Sequence, residues 1–452
     1  MMKKRTAFCI FFAFVLSALF CISAAALEQG YIFELKENAD EDFYRLAAQQ
    51  TALSEENGVY LTTDASLIFE LRRNRAVEYC EPDETIELQD VTEEIAALEK
   101  DDWKRSMIGY SYAQKHGITG KGVRIGIIDS GLAPAFSEHS AATIEKGYNY
   151  IDKNEDTTDS YGHGTFVASV IAHEDLGIAG EVSIVPLKAF SNKSSAVSNI
   201  VAAIYKAADS EDYPCDVINM SFASGSDYDS LRTAIEYVVS KGIIVVASAG
   251  NGGSTALTYP AGYDGVIGVG SLDAKKVISL SSQRNTGVFL AAPGVSVRGM
   301  DLDGSERTGS GTSYSAPLVT AAAALAMQRD PKLTTEKFTK LLRQSAEDLG
   351  TTGWDSTYGW GLLNVGLMLA IEDRDMQSLI FSAYSDEICV SFAEEANEKN
   401  EIFMALYSSS GQMLKVRGFA CGPVSNAKLV QNTHEIGIML LQSDTKQLVK
   451  AR

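Results

Sequence analysis

Only five histidines occur in 452 residues: His116, His139, His163, His173 and His434. Imidazole chemistry, if this chain performs any, is confined to one of those positions. No histidine–cysteine cluster has the spacing of a zinc site, so neither a metal nor a cofactor is expected. Cysteine is almost as rare. Of six, Cys9 and Cys21 fall in the first 26 residues, and Cys80, Cys215, Cys389 and Cys421 are scattered. That excludes a small disulfide scaffold, although Cys389 and Cys421 remain free to pair. A basic surplus is also missing, the net charge being −20. Without a basic patch, nucleic acid is not an expected partner. After residue 26 no apolar run approaches the roughly 20 residues that span a bilayer.

What is present begins with a leader. Lys3, Lys4 and Arg5 precede an apolar stretch from Ala7 to Ile22, and Ala24-Ala25-Ala26 forms a small-residue cleavage site before Leu27. Residues 1–26 therefore read as a signal peptide, and the protein as secreted, either extracellular or associated with the cell surface. The bulky Phe20 before Cys21 argues against a lipid-modified cysteine. Residues 27–100 hold 19 acidic against 6 basic side chains, so acidity is concentrated in the segment after the leader.

Hydrophobic patterning divides the rest in three. Residues 28–84 predict a small α/β unit: strand 31–35, a helix near 40–53, strand 59–61, helix 67–71 and a strand at 77–79. An acidic linker over 84–102 follows. Residues 103–370 alternate apolar runs at 123–128, 182–187, 216–220, 243–248 and 266–270 with helices near 163–173, 196–209, 228–241 and 313–329. That alternation predicts an α/β fold with a mostly parallel sheet flanked by helices. Residues 375–452 predict a small all-β accessory domain, with short strands at 379–381, 388–390, 402–407 and 436–441. A turn at Ser410-Gly411 leads from the third of these into 413–416.

The most specific signal is Gly311-Thr312-Ser313-Tyr314-Ser315-Ala316-Pro317, at the mouth of an alanine-rich helix. A serine there combines an open approach with a backbone N–H dipole. It needs a base, and the base needs an orienting acid. His163, between Gly162 and Gly164 at the head of an apolar helix, is the candidate base; His173, at the far end, is expected to cap or be solvated. Asp129 closes the apolar run 123–128, at the strand end where ligands bind in open parallel sheets. Asn251, on a glycine-rich strand end, offers a side-chain amide to an oxyanion. The alternative of an esterase elbow, Gly-x-Ser-x-Gly, fails because Ser315 stands two past Ser313 and both partners precede the serine.

The order Asp129, His163, Asn251, Ser313, with these local words, resembles the subtilisin-like serine proteases (subtilases, peptidase S8-like) over residues 103–370. The resemblance implies a secreted serine endopeptidase acting through an acyl-enzyme. Asp129 orients the imidazole, His163 serves as base and then acid, Ser313 attacks, and Asn251 stabilises the oxyanion. Ser221, Phe222 and Ala223 match in position the segment that pairs with substrate backbone and walls the first specificity pocket. The family usually shows glycine where Ala223 and Ser224 stand, which implies a narrower pocket here. Residues 77–83 resemble the end of an inhibitory propeptide. The implied domains are a propeptide at 27–100, a peptidase domain at 101–372 and an accessory domain at 375–452. Implied partners are protein or peptide substrates and the chain's own propeptide as intramolecular inhibitor, in a self-processing monomer. The stretch Glu174-Asp175-Leu176 is shorter than the calcium loop of many relatives, so no metal site is assigned. The rival reading is an inactive subtilase-fold protein that binds peptides or surfaces.

Overall fold

The computed structural model describes residues 29–39, 41–88, 103–210 and 214–372, together with five strands between 387 and 442. The leader and residues 89–102 lie outside the described residues, as do the side chains of Cys389 and Cys421 and the strand expected at 379–381.

The N-terminal unit runs β1 (Tyr31–Leu35), α1 (Glu41–Ala47), β2 (Thr51–Ser54), β3 (Val59–Thr62), α2 (Ala65–Leu71), β4 (Val77–Pro82) and β5 (Thr85–Glu87). Its antiparallel sheet has the order β2-β3-β1-β4. The helix expected over 40–53 stops at Ala47, and Thr51–Ser54 is instead an edge strand paired with β3. Period-two alternation gives this sheet two buried faces. Phe33, Leu35, Tyr60 and Val77 close over Leu67 and Leu71 of α2. Ile32, Val59 and Tyr79 face the other way, into the core of the larger unit.

That larger unit continues through α3 (Trp103–Met107), α4 (Ser111–His116), β6 (Arg124–Asp129), β7 (Thr143–Ile144), β8 (Tyr148–Asn149), α5 (His163–Ala172), β9 (Ser183–Lys188) and β10 (Ser194–Ala196). Then come α6 (Val197–Asp209), β11 (Val217–Met220), α7 (Asp229–Ser240), β12 (Ile244–Ser248), β13 (Val266–Leu272), β14 (Leu290–Pro293), β15 (Val297–Met300) and β16 (Glu306–Gly309). Helices α8 (Thr312–Arg329), α9 (Thr335–Ser345) and α10 (Val365–Glu372) complete it. The main sheet has the order β14-β13-β12-β11-β6-β9-β7, with β8 also on β9, and each of these pairings is parallel.

Burial on both faces explains the unbroken apolar runs in the sequence. Ile125, Ile127, Val217, Ile244, Val246 and Val269 point to the layer holding α5, α8 and α10. Ile128, Ile218, Met220, Val245 and Ala247 point to the layer of α6 and α7. From β6 the chain goes first to β9 on one side and then to β11 on the other. The carboxyl ends of β6 and β11 therefore flank a topological switch point, where open α/β sheets bind ligands.

Residues 84–88 correct the acidic-linker expectation. Ile86 and Leu88 are buried on either side of the exposed Glu87, and β5 pairs antiparallel with β10. Beyond Glu372 the described strands are β17 (Glu387–Ser391), β18 (Glu401–Tyr407), β19 (Met413–Ala420), β20 (Asn426–Val430) and β21 (Gly437–Gln442). The hairpin expected around Ser410-Gly411 corresponds to the antiparallel pair β18 and β19.

Candidate active site

Asp129 is the last residue of β6, and His163 the first of α5. Asp129 Oδ1 lies 2.7 Å from His163 Nδ1, with both side chains at most 1 % exposed. The same oxygen accepts the Ser130 amide at 2.7 Å. Gly164 is required by this proximity: a Cβ there would fall 2.4 Å from the Gly131 carbonyl oxygen and 3.2 Å from the Asp129 Cβ.

Several residues brace the pair. Asp159 accepts the amides of Tyr161, Gly162 and Thr165 at 2.9 Å and the Thr165 hydroxyl at 2.7 Å, tying down the first turn of α5. Burial works to raise the Asp159 pKa. The Gly162, Thr165 and Tyr161 donors outweigh it and hold the carboxyl below the ordinary range. Ser130 Oγ accepts the Gly164 amide at 2.9 Å. The buried Lys188 ammonium donates to the carbonyls of Ser130 and Thr158, at 2.6 and 3.0 Å. It thereby ties the strand end carrying Asp129 to the loop leading to His163.

Ser313 is the second residue of α8, in its first turn rather than just before it. Its Oγ donates to the Ser221 carbonyl at 2.9 Å, and Ser221 Oγ donates back to the Ser313 carbonyl at 2.8 Å. The neighbouring Tyr314 ring sits 5.8 Å from the His163 ring and 4.2 Å from Phe166, which seats the start of α8 on the helix that carries His163. Asn251 Oδ1 accepts both the amide and the hydroxyl of Thr312 at 2.9 Å. That contact fixes the amide plane and turns Nδ2 toward Gly311, where a Cβ would come within 3.0 Å of it.

Ser221 and Phe222 are fully buried, and the Phe222 ring packs at a tilt against Phe190, centroids 5.3 Å apart. A ligand along this segment would meet its backbone. Ala223 lies deeper. Its Cβ, the Thr258 Cγ2 and the Gln283 Cγ converge within 3.1–3.3 Å of where a Cβ on Gly250 would stand. His173 caps the far end of α5 and stacks on His139 at 5.6 Å, away from Asp129. Sequence reasoning missed Asp159, Ser130, Lys188 and Thr312. Asp159 carried a signal, an acid four positions before His163 and poised to cap its helix, and Thr312 stood inside the septet around Ser313.

The fold and the buried Asp129–His163 contact define an α/β protein with a carboxylate-oriented imidazole at the switch point of a parallel sheet. The model of the subtilase family, Peptidase S8, matches residues 120–361, and the chain belongs to that family. It is a subtilisin-like serine endopeptidase by membership. It is 35 % identical to Subtilisin DY of Bacillus licheniformis over 262 residues, 56 % of this chain and 92 % of that protein. Against Subtilisin Savinase of Lederbergia lenta it is 31 % identical over 268 residues, 58 % of this chain and 96 % of the relative. Minor extracellular protease Epr of Bacillus subtilis is 31 % identical over 319 residues, 68 % of this chain. The match spans only 48 % of Epr's length. Among the described residues no helix is long and apolar enough to cross a membrane.

Proposed function

We propose that the chain is exported as an inhibited precursor, cuts itself free, and then hydrolyses peptide bonds through Asp129, His163 and Ser313. The observation that carries the reading is the buried contact of Asp129 Oδ1 with His163 Nδ1 at 2.7 Å. A carboxylate there keeps the proton on Nδ1 and makes Nε2 the basic nitrogen. Ser313 Oγ turns from the Ser221 carbonyl to His163, gives its proton to Nε2 and bonds to the scissile carbonyl carbon. Asn251 Nδ2 and the Ser313 amide receive the developing oxyanion. The intermediate collapses as His163 passes the proton to the leaving amine. A water molecule, deprotonated by the same nitrogen, then releases the acyl group and restores the serine.

Residues 27–100 act as the inhibitory propeptide, 101–372 as the peptidase and 375–452 as an accessory domain. The contacts of β4 and β5 support the first assignment. Helices α6 and α7 lack side-chain caps of their own. Asp83 receives the Ser198 amide at 2.8 Å and its hydroxyl at 2.6 Å, while Glu81 receives the amides of Asp229 and Ser230 at 2.9 Å. Ile86 and Leu88 bury alongside Phe190, Val197 and Phe222. The strand leading out of the N-terminal unit pairs antiparallel with Ser194–Ala196 of β10, in the extended form a bound peptide would take.

The test is the intact mass of protein secreted from a protease-free host. Wild type is expected to lose residues 27–100, and Ser313→Ala to keep them covalently attached. Normal processing of the alanine variant overturns self-cleavage.

A further inference from the structure

Strand β1 sends alternate side chains to different surfaces, and one of them is chemically out of place. Phe33 and Leu35 enter the N-terminal unit's own core, while Ile32 enters the cluster shared with α6 and α7. Glu34, two past Ile32, belongs to that second face. In the ladder it stands opposite Val59 of β3 and Tyr79 of β4, both of them in the shared cluster. A carboxyl is thus set into the apolar surface by which the N-terminal unit docks.

Its surroundings do not suit a charge. Glu34 Oε2 and the hydroxyls of Tyr79 and Tyr205 (α6) are shut off from solvent, and the one group beside the carboxyl that favours its charged form is the neutral Tyr79 hydroxyl. The charges that act on Glu34 come from Glu78 on β4 and Glu236 on α7, and both are acidic. Glu78 is engaged by Lys36 at 3.4 Å, and Asp209, at the end of α6, accepts the Tyr237 hydroxyl at 2.6 Å. Burial holds the Glu34 carboxyl up at about 7 against an ordinary 4.5; the Tyr79 hydroxyl opposes this, and the two acids reinforce it. Burial raises the Tyr79 and Tyr205 phenols as well, so they stay neutral across this range.

We propose that Glu34 is a proton-operated latch on the N-terminal unit: its neutral carboxyl seats against α6 and α7, and its carboxylate loosens the unit's grip. The inference rests on the reading of residues 27–100 as an inhibitor and adds the condition that releases it. Docking raises the carboxyl's proton affinity, so the grip is strongest where Glu34 is protonated in both states and weakens as pH climbs through about 7. Linkage across the full shift sets a ceiling of roughly 300-fold, and partial exposure brings the expected change to about tenfold. Asp83 is shifted the same way by burial, against its Ser198 donors. The Glu34 share is therefore read from a variant rather than from the total.

The intact Ser313→Ala chain provides the test, since it cannot cut itself. Hydrogen exchange at pH 5.0 and 8.5, corrected for intrinsic rates, reads the opening of Tyr31–Leu35 and Val77–Pro82. Protection is expected to fall about tenfold from the lower to the higher pH, and less than about twofold once Glu34→Gln is added. Replacing the exposed Glu236 by Gln removes a like charge and should move the transition to higher proton concentration, that is, to lower pH. Equal losses with and without Glu34→Gln overturn the latch, as does a Glu236→Gln transition that stays in place. The wild-type chain, run in parallel, separates the two ideas. If it is never cut, self-processing fails while exchange still decides the latch. If it is cut and exchange ignores Glu34, the latch fails and self-processing stands.

Discussion

At the scale of single residues, the site depends on side chains held by partners that do no chemistry. Thr312 grips Asn251 Oδ1 through both its amide and its hydroxyl, so the orientation of the Asn251 amide is set before substrate arrives. Removing the amide in Asn251→Ala should lower kcat by about 10²–10³ with little change in KM, since the contact forms in the transition state. Steady-state kinetics on a peptide substrate checks this, and a loss confined to KM counts against the oxyanion role. Ala223, Thr258 and Gln283 converge on Gly250, beside Asn251, and on the proposed function they wall the pocket next to the scissile bond. Small side chains should be preferred there. Thr258→Gly should raise kcat/KM for a phenylalanine relative to an alanine at that position by roughly tenfold, as expected for a few methyl-sized groups. An unchanged ratio removes Thr258 from the pocket. Distinctive local words singled out Asp129, His163, Asn251 and Ser313 in the sequence, whereas residues acting through space left no such mark. Lys188 reads as an ordinary end of a strand, and its bonds to Ser130 and Thr158 exist only after β9 pairs with β6.

Among elements, long apolar runs announced the central strands because parallel strands bury both faces. Very short elements left no such record. β7 and β8 have two residues each, and β14 is Leu-Ala-Ala-Pro; these pair because the sheet is already there. β5 misled for a different reason. Glu84 and Glu87 dominate the local composition, yet the alternation of Ile86 and Leu88 decides which face is buried. The caps supplied by Glu81 and Asp83 form a second kind of element-scale contact. Glu81→Ala and Asp83→Ala should each weaken docking of the N-terminal unit by about 1 kcal/mol, the usual value of a lost helix cap. Protection of Thr85–Glu87 in the Ser313→Ala chain is the measurement. No change in either variant means that solvent replaces these caps at no cost.

For the whole molecule, two cores share one sheet, and the N-terminal unit completes the second of them. Ile32, Val59 and Tyr79 contribute to that core, while α10 seals the first through Val365, Met368 and Leu369. A chain ended after Glu372 should therefore fold and keep kcat/KM within about threefold of the full chain, because domain cores are self-contained. Ending it before Val365 should leave the first core uncovered and the protein insoluble or unfolded. Soluble expression and turnover of the two truncations give the answer.

Catalysis as proposed requires His163 to make Ser313 nucleophilic, which ordinary serines are not. A fluorophosphonate reagent forms a stable bond only with such a hydroxyl, and peptide mapping locates it. The processed protein should carry one adduct, on Ser313, lost in Ser313→Ala and strongly slowed in His163→Ala. Absence of labelling in processed wild type, or an equal rate in the histidine variant, would contradict the catalytic role assigned to this pair.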